Sequence, residues 1–266
     1  MCYEKLLSKY DKNKCILHMH GGEMVGTTEL ERVYQRFIAL NNYMKNNFCK
    51  NGIISKDRVD VLYNGIDLKQ FFTELSMEEK KAIKEKYGLK DDDIILLFCG
   101  RLIPEKGVRE LILALKQLDN IEKIKLVIIG NSAFGKNEKN KYQEELFEIS
   151  KEITNNIVFT GFIHNKELYK IYNIADIAIT PSMWEDASPL VIVEEMASAL
   201  PIITTDSGGI PELVNFDSSI IVKRDENIVE NIARNIELLI ADERRRKIMG
   251  IERKKSQLTV FCRELL

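Results

Sequence analysis

Residues 94–130 read IILLFCGRLIPEKGVRELILALKQLDNIEKIKLVIIG. Two apolar runs, IILLFCG (94–100) and KIKLVIIG (123–130, apolar without interruption from Leu126), flank GVRELILALKQL (107–118), whose apolar residues recur at helical spacing. A strand with no polar alternation is buried on both faces, and a helix between two such strands makes them parallel. This stretch therefore predicts an α/β domain built on a parallel sheet.

The pattern continues downstream. A charged helix is predicted around 138–152, then NIVFTG (156–161), a helix near 166–174, DIAITPS (176–182), a helix from about Pro189 to Ala199, PIITT (201–205), SSIIV (218–222) and a helix near 227–240. Together these read as a Rossmann-like domain over roughly 75–245. Upstream, CILHMH (15–20) is strand-like and ends at Gly21-Gly22, and a helical stretch is predicted from about Glu29 to Lys50. Thr28 and Glu31 have capping-box spacing, and so do Ser76 and Glu79 at the start of SMEEKKAIKEKYG, with Gly88 as its stop. RVDVLYNGID (58–67) reads as a strand and a turn.

Composition narrows the class. With 39 Lys and Arg against 41 Asp and Glu, the chain lacks the basic excess that phosphate-backbone binding needs. No apolar run reaches the roughly 18–20 residues of a spanning helix, and MCYEKLLSKYDKNK lacks the apolar core of a secretory signal, so a cytoplasmic location is expected. Cys2, Cys15, Cys49, Cys99 and Cys262 stand singly and read as reduced thiols. The 266 residues admit two modest domains.

In doubly wound sheets the ligand sits beyond the carboxyl ends of the strands, so the loops there are the candidates. After the first buried strand come Gly100, Arg101 and Lys106, two fixed cations beside a helix start and a suitable cradle for a diphosphate. After DIAITPS comes MWEDASPLVIVEEM (183–196), in which Ser188 is the expected N-cap and Pro189 falls in the first turn. The N–H groups of Leu190 and Val191 would offer a second anion site, with Glu194 one turn on and Asp186 on the loop. Two carboxylates bracketing an anion site suit a polyhydroxylated, phosphate-bearing ligand. The third loop, TTDSGGIPELV (204–214), has a Gly-Gly turn that lets a ligand approach the backbone. Taken singly, each loop also fits a solvated turn or a capped helix. No G-x-G-x-x-G and no P-loop occur.

In combination and in this order, GRLIPEKG, Trp184–Ala199 and TTDSGGIPELV resemble the donor-binding domain of family 4 of the retaining glycosyltransferases. VFTGFI (158–163), IADIAITPS (174–182) and RVDVLYNGID extend the likeness over about 65–245. The resemblance implies a GT-B fold, a nucleotide-diphospho-sugar as co-substrate and no metal or other cofactor. It implies that Arg101 and Lys106 hold the diphosphate, with Gly100, Phe162, Ser188, Leu190 and Val191 in the donor site. Glu194 matches the acid that binds the ribose hydroxyls. Asp186 matches the acid that meets the donor sugar, normally Glu; Glu185 stands beside it, and either carboxylate is a candidate. Pro189 stands where many members have Gly. His20 resembles the family's active-site histidine.

The domain expectation is a partial N-terminal Rossmann-like acceptor domain (1–70), a complete C-terminal donor domain (71–245) and a helical tail (246–266), about one and a half domains. Such a chain is a fragment, a shortened gene product, or one whose missing half a partner subunit supplies. The expected activity is transfer to a saccharide or lipid-linked glycan, in bacterial surface polysaccharide synthesis. The alternative is a catalytically incomplete nucleotide-sugar-binding subunit. His18 and His20 without a third ligand argue against a metal site. Asp91–Asp93 precedes a strand and reads as a turn, and Ser182 and Ser188 have no triad histidine. The runs Arg244–Lys247 and Arg253–Lys255 read as a solvated face or as a peripheral contact with an anionic membrane.

Overall fold

Period-two burial over only four residues, RFIA, is enough to make a strand when each buried side chain finds a core. A computed structural model describes residues 11–21, 24–131, 141–214 and 217–250. It divides into one unit of Met1–Gly65 with Glu185–Pro189 and Ser207–Leu213, and a second of Ile66–Trp184, Leu190–Asp206 and Val214–Leu266.

In the first unit β1 (Ile16–His18), α1 (Thr28–Val33), β2 (Arg36–Ala39), α2 (Asn42–Cys49) and β3 (Val59–Val61) follow one another, and the strands pair in parallel in the order β1-β2-β3. The helix expected over Glu29–Lys50 is thus two helices with β2 between them. Phe37 and Ala39 are fully buried while Arg36 and Ile38 are half-buried, and Tyr34 leaves α1 with extended backbone. The expected cap also shifts by one residue. Thr27 Oγ1 accepts the Leu30 N–H at 3.3 Å, and Glu31 turns away to pair with Arg58 at 2.7 Å. The core joins Met19, Phe37, Met44, Phe48, Val59 and Ala187, with the Phe37 and Phe48 rings 5.0 Å apart. Burying side chains of this size contributes about 1.5–3 kcal/mol each.

The second unit opens with a single helical turn, Leu68–Phe71, and α3 (Met77–Lys86). Ser76 and Glu79 form the expected capping box, and Gly88, at φ 68°, follows the helix. Then come β4 (Ile94–Cys99), α4 (Val108–Leu115), β5 (Ile124–Ile129), α5 (Lys141–Ser150), β6 (Ile157–Gly161), α6 (Asn165–Tyr172), β7 (Ile177–Thr180), α7 (Leu190–Ala197), β8 (Ile202–Thr205), β9 (Ser219–Val222) and α8 (Ile228–Ala241). The six strands are parallel, in the order β6-β5-β4-β7-β8-β9. Within the unit this is the doubly wound order whose direction reverses between the first and fourth strands, β4 and β7. Leu96, Phe98, Ile128, Ile179 and Ile203 share one face of the sheet and pack there with Ile112, Ile232 and Ile236.

Parts of two charged stretches are structural. Asp93 Oδ2 accepts the Lys90 N–H at 2.7 Å and Asp92 pairs with Lys123, which makes the acidic triplet a turn into β4. Arg246 donates to the carbonyls of Leu239 and Ile240 and closes the end of α8, so it is not part of a solvated face. Arg253–Lys255, Cys2 and Cys262 lie outside the described residues. Among the described residues no helix is long and apolar enough to cross a membrane.

Candidate active site

In the second unit, the loops leaving β4, β5 and β7 pack against one another through glycine. Gly100 donates to Ile129 O at 3.0 Å, and Leu102 to Asn131 O at 3.0 Å. Gly107 has φ 70° and lies against the Pro181 carbonyl, so closely that a Cβ would overlap it. Met183 donates to Glu105 O at 2.9 Å. The loop that carries the two cations is therefore pinned to the turn that follows β7. Arg101 is exposed and Lys106 half-buried, at the end of a 3-10 turn, Pro104–Lys106, that precedes α4.

The other side of the β4/β7 switch point belongs to α7. Its first N–H groups, those of Leu190 and Val191, have no acceptor within the helix. Leu190 is exposed and Val191 half-buried. Ser188 does not cap it as expected: its Oγ is buried with no hydrogen-bond partner.

One turn into α7, Glu194 is 6% exposed and braced on both oxygens. Asn165 Nδ2 donates to Oε1 at 3.2 Å and Tyr172 OH to Oε2 at 3.1 Å. Burial raises the Glu194 pKa, and these two donors pull it back down. Cys99, at the end of β4, has its thiol pushed up to about 12 by burial and by the Glu194 charge; it is an unreactive neighbour. Tyr172 is raised well above 10, mainly by burial, and stays a donor. Phe162, 52% exposed just past β6, meets the His164 ring edge-on at 6.4 Å.

In the first unit the segment Glu185–Pro189 is held residue by residue. Glu185 Oε2 accepts Tyr43 OH at 2.9 Å and the Gly208 N–H at 2.8 Å. Asp186 is fixed through its backbone, donating to Ser207 Oγ at 3.1 Å and accepting from Gly209 N at 2.8 Å. Asn41 Nδ2 donates to Ala187 O, and Asn64 Nδ2 to Ser188 O at 3.1 Å. Glu212 accepts the N–H groups of Asn42 and Tyr43 at the start of α2, where Asn41 is the N-cap. A carboxylate at the positive end of a helix is stabilising. Glu185 thus braces the loop through Oε2. His20, exposed beyond β1, has its ring 4.3 Å from that of His18, whose pKa is lowered by burial and then by His20.

Tyr43, Asn41, Asn64, Asn165, Tyr172 and Glu212 are not among the residues expected from the sequence. Glu212 lies inside the quoted TTDSGGIPELV, and Asn64 inside RVDVLYNGID, but neither stretch states which atom each would meet.

The family described as Glycosyl transferases group 1 matches residues 79–256. An uncharacterized glycosyltransferase of Methanocaldococcus jannaschii is 31% identical over 208 residues, 78% of this chain and 50% of that protein. The lipopolysaccharide 1,2-N-acetylglucosaminetransferase of Salmonella typhimurium is 28% identical over 214 residues, 80% of this chain and 54% of that protein. Anabaena HepE, crystallised with UDP-glucose, superposes with a TM-score of 0.78 at 21% identity, over 92% of this chain and 67% of that one. The chain has an α/β fold of the GT-B type. It spans about half the length of the curated relatives it matches.

Proposed function

The chain belongs to the glycosyl transferases group 1 family, and from that premise we propose that it moves a sugar, with retention, from a nucleotide-diphospho-sugar to a saccharide or lipid-linked glycan. The Salmonella relative acts in lipopolysaccharide assembly by its name, and the fold neighbour was crystallised with UDP-glucose. What carries the reading is the Arg101–Lys106 loop and the start of α7 on either side of the β4/β7 switch point, two elements suited to an anion, with a braced carboxylate one turn into α7.

Arg101 presents a planar fork to the diphosphate, and Lys106 a compact charge from the same pinned loop. The first N–H groups of α7 add dipolar attraction. As the bond between the sugar's anomeric carbon and the diphosphate oxygen breaks, its electron pair leaves with the diphosphate. These fixed groups stabilise the charge that develops there more than the charge already present in the bound donor. The acceptor hydroxyl forms the new bond on the same face of the sugar, and its proton passes to the departing phosphate oxygen. Glu194 takes the ribose hydroxyls. Asp186 takes the donor sugar's hydroxyls, and Glu185, which accepts from Tyr43 and Gly208 on one oxygen, steadies the loop beside it. The resemblance assigns His20 to the sugar's reaction and Phe162 to the donor site. Arg244 and Arg245, exposed past α8, are the basic residues left for contact with an anionic surface.

Thermal-shift screening of the chain against UDP-, GDP-, ADP- and TDP-sugars tests the proposal. A rise in Tm that saturates with one class of donor is expected. No shift with any of them, in the presence or absence of divalent cations, overturns it.

A further inference from the structure

An ionised carboxylate has two oxygens and about four lone-pair positions. In Glu194 the protein occupies one position on each oxygen, Oε1 by Asn165 Nδ2 at 3.2 Å and Oε2 by Tyr172 OH at 3.1 Å. That division leaves one position on each oxygen, the number that two hydroxyls on adjacent carbons need. Both donors are themselves immobilised. Tyr172 is 1% exposed and packs edge-on against Phe71 at 5.7 Å, and the Asn165 carbonyl accepts Gln70 Nε2 at 2.6 Å. The two donors come from opposite ends of α6, Asn165 at its first residue and Tyr172 at its last, so one helix fixes the plane of the carboxylate.

We propose that Tyr172 and Asn165 are positioning residues that hold the Glu194 carboxylate in register for a vicinal diol, and that they thereby make the site selective for ribonucleoside over 2′-deoxyribonucleoside diphosphate donors. The inference rests on the assignment of Glu194 to the ribose and adds the groups that make that assignment discriminating. A 2′-deoxy donor can fill only one of the two remaining positions. The other is left buried without a hydrogen bond, and that is how a polar site rejects an analogue that lacks one hydroxyl. On this basis thymidine diphospho-sugars, which carry deoxyribose, belong to the disfavoured class.

Protonation supplies a second readout. The titratable groups coupled to Glu194 are Tyr172 on α6 and Cys99 at the end of β4, and Glu195, next on α7, acts on both of those. Burial disfavours the Glu194 charge, and the two donors oppose it. Removing a donor therefore moves the pH below which the diol loses its acceptor upward.

The test is calorimetry of the full chain with UDP, GDP and ADP and with their 2′-deoxy counterparts, for wild type, Tyr172→Phe and Asn165→Ala. Circular dichroism reports that each variant is folded. For the base that binds, wild type is expected to prefer the ribo form by about tenfold. In both variants the ratio should fall to within about threefold, with 2′-deoxy affinity changed by less than about twofold. In Tyr172→Phe the acid limb of ribonucleotide affinity should lie at higher pH than in wild type. Equal weakening of ribo and deoxy ligands with an unmoved acid limb marks a merely structural role and overturns the inference, as does a wild-type ratio near one. Absence of binding by all six diphosphates would overturn the donor-site assignment itself, a result distinct from binding without discrimination.

Discussion

Tyr43→Phe removes one hydroxyl and no carbon, and so isolates the brace on Glu185. In wild type the Glu185 Oε2 atom accepts from Tyr43 OH at 2.9 Å and from the Gly208 N–H at 2.8 Å, in a part-buried setting. A hydrogen bond to a charged group of this kind contributes about 1.5–3 kcal/mol, and partial exposure puts this one at the lower end. Glu185→Gln keeps the shape but gives up the charge that strengthens both bonds. A double-mutant cycle on urea unfolding should therefore return a Tyr43–Glu185 coupling of about 1–1.5 kcal/mol. The same brace predicts a division of labour. Asp186→Asn should lower affinity for the nucleotide sugar by about tenfold and leave the bare nucleoside diphosphate within about twofold. Glu185→Gln should act on both ligands alike, through the loop. A coupling below about 0.3 kcal/mol, or an Asp186→Asn variant that binds donor and bare diphosphate with unchanged ratio, refutes the reasoning.

Two further substitutions test other parts of the site. Gly107→Ala sets a Cβ on the Pro181 carbonyl at φ 70°, and should cost more than about 2 kcal/mol in unfolding free energy and abolish donor binding; a variant as stable as wild type contradicts the pinned-loop geometry. Glu194→Gln should raise stability at neutral pH while weakening ribonucleotide binding, because the wild-type carboxylate pays a burial penalty that the amide does not. The sign follows from the raised pKa. Above the folded-state value the penalty is fully present, and it fades as pH falls from that value to the ordinary one near 4.5, so the stability advantage of Gln shrinks with it in acid unfolding curves.

Much of this architecture is legible in local pattern. IILLFCG is an unbroken apolar run and KIKLVIIG is one from Leu126 on, and both are strands buried on two faces, because in a doubly wound sheet burial needs no partner of particular identity. β2 is different. Four residues carry too little period-two signal against the helical patterns around them, and the strand exists because Phe37 meets Phe48 and because Asn41 restarts a helix immediately afterwards. The cations, the α7 acid and the glycine turns could be read from strand-to-helix loops, where the fold puts ligands. The braces could not. Tyr43 and Glu185 are 142 positions apart, and Glu212 meets the start of α2 across 169 or more. Adjacent Glu185 and Asp186 look interchangeable in the sequence, and the donors that reach Glu185, Tyr43 and Gly208, lie 142 and 23 positions away.

The roles of Arg101 and Glu194 follow from where the diphosphate binds. Calorimetry of the nucleoside diphosphate chosen by the thermal-shift screen, titrated into wild type, Arg101→Ala and Glu194→Ala, measures that alone. Arg101→Ala should lose about tenfold or more in affinity with a flatter dependence on salt, and Glu194→Ala about tenfold with its salt dependence intact. Affinities unchanged in both variants would contradict the account.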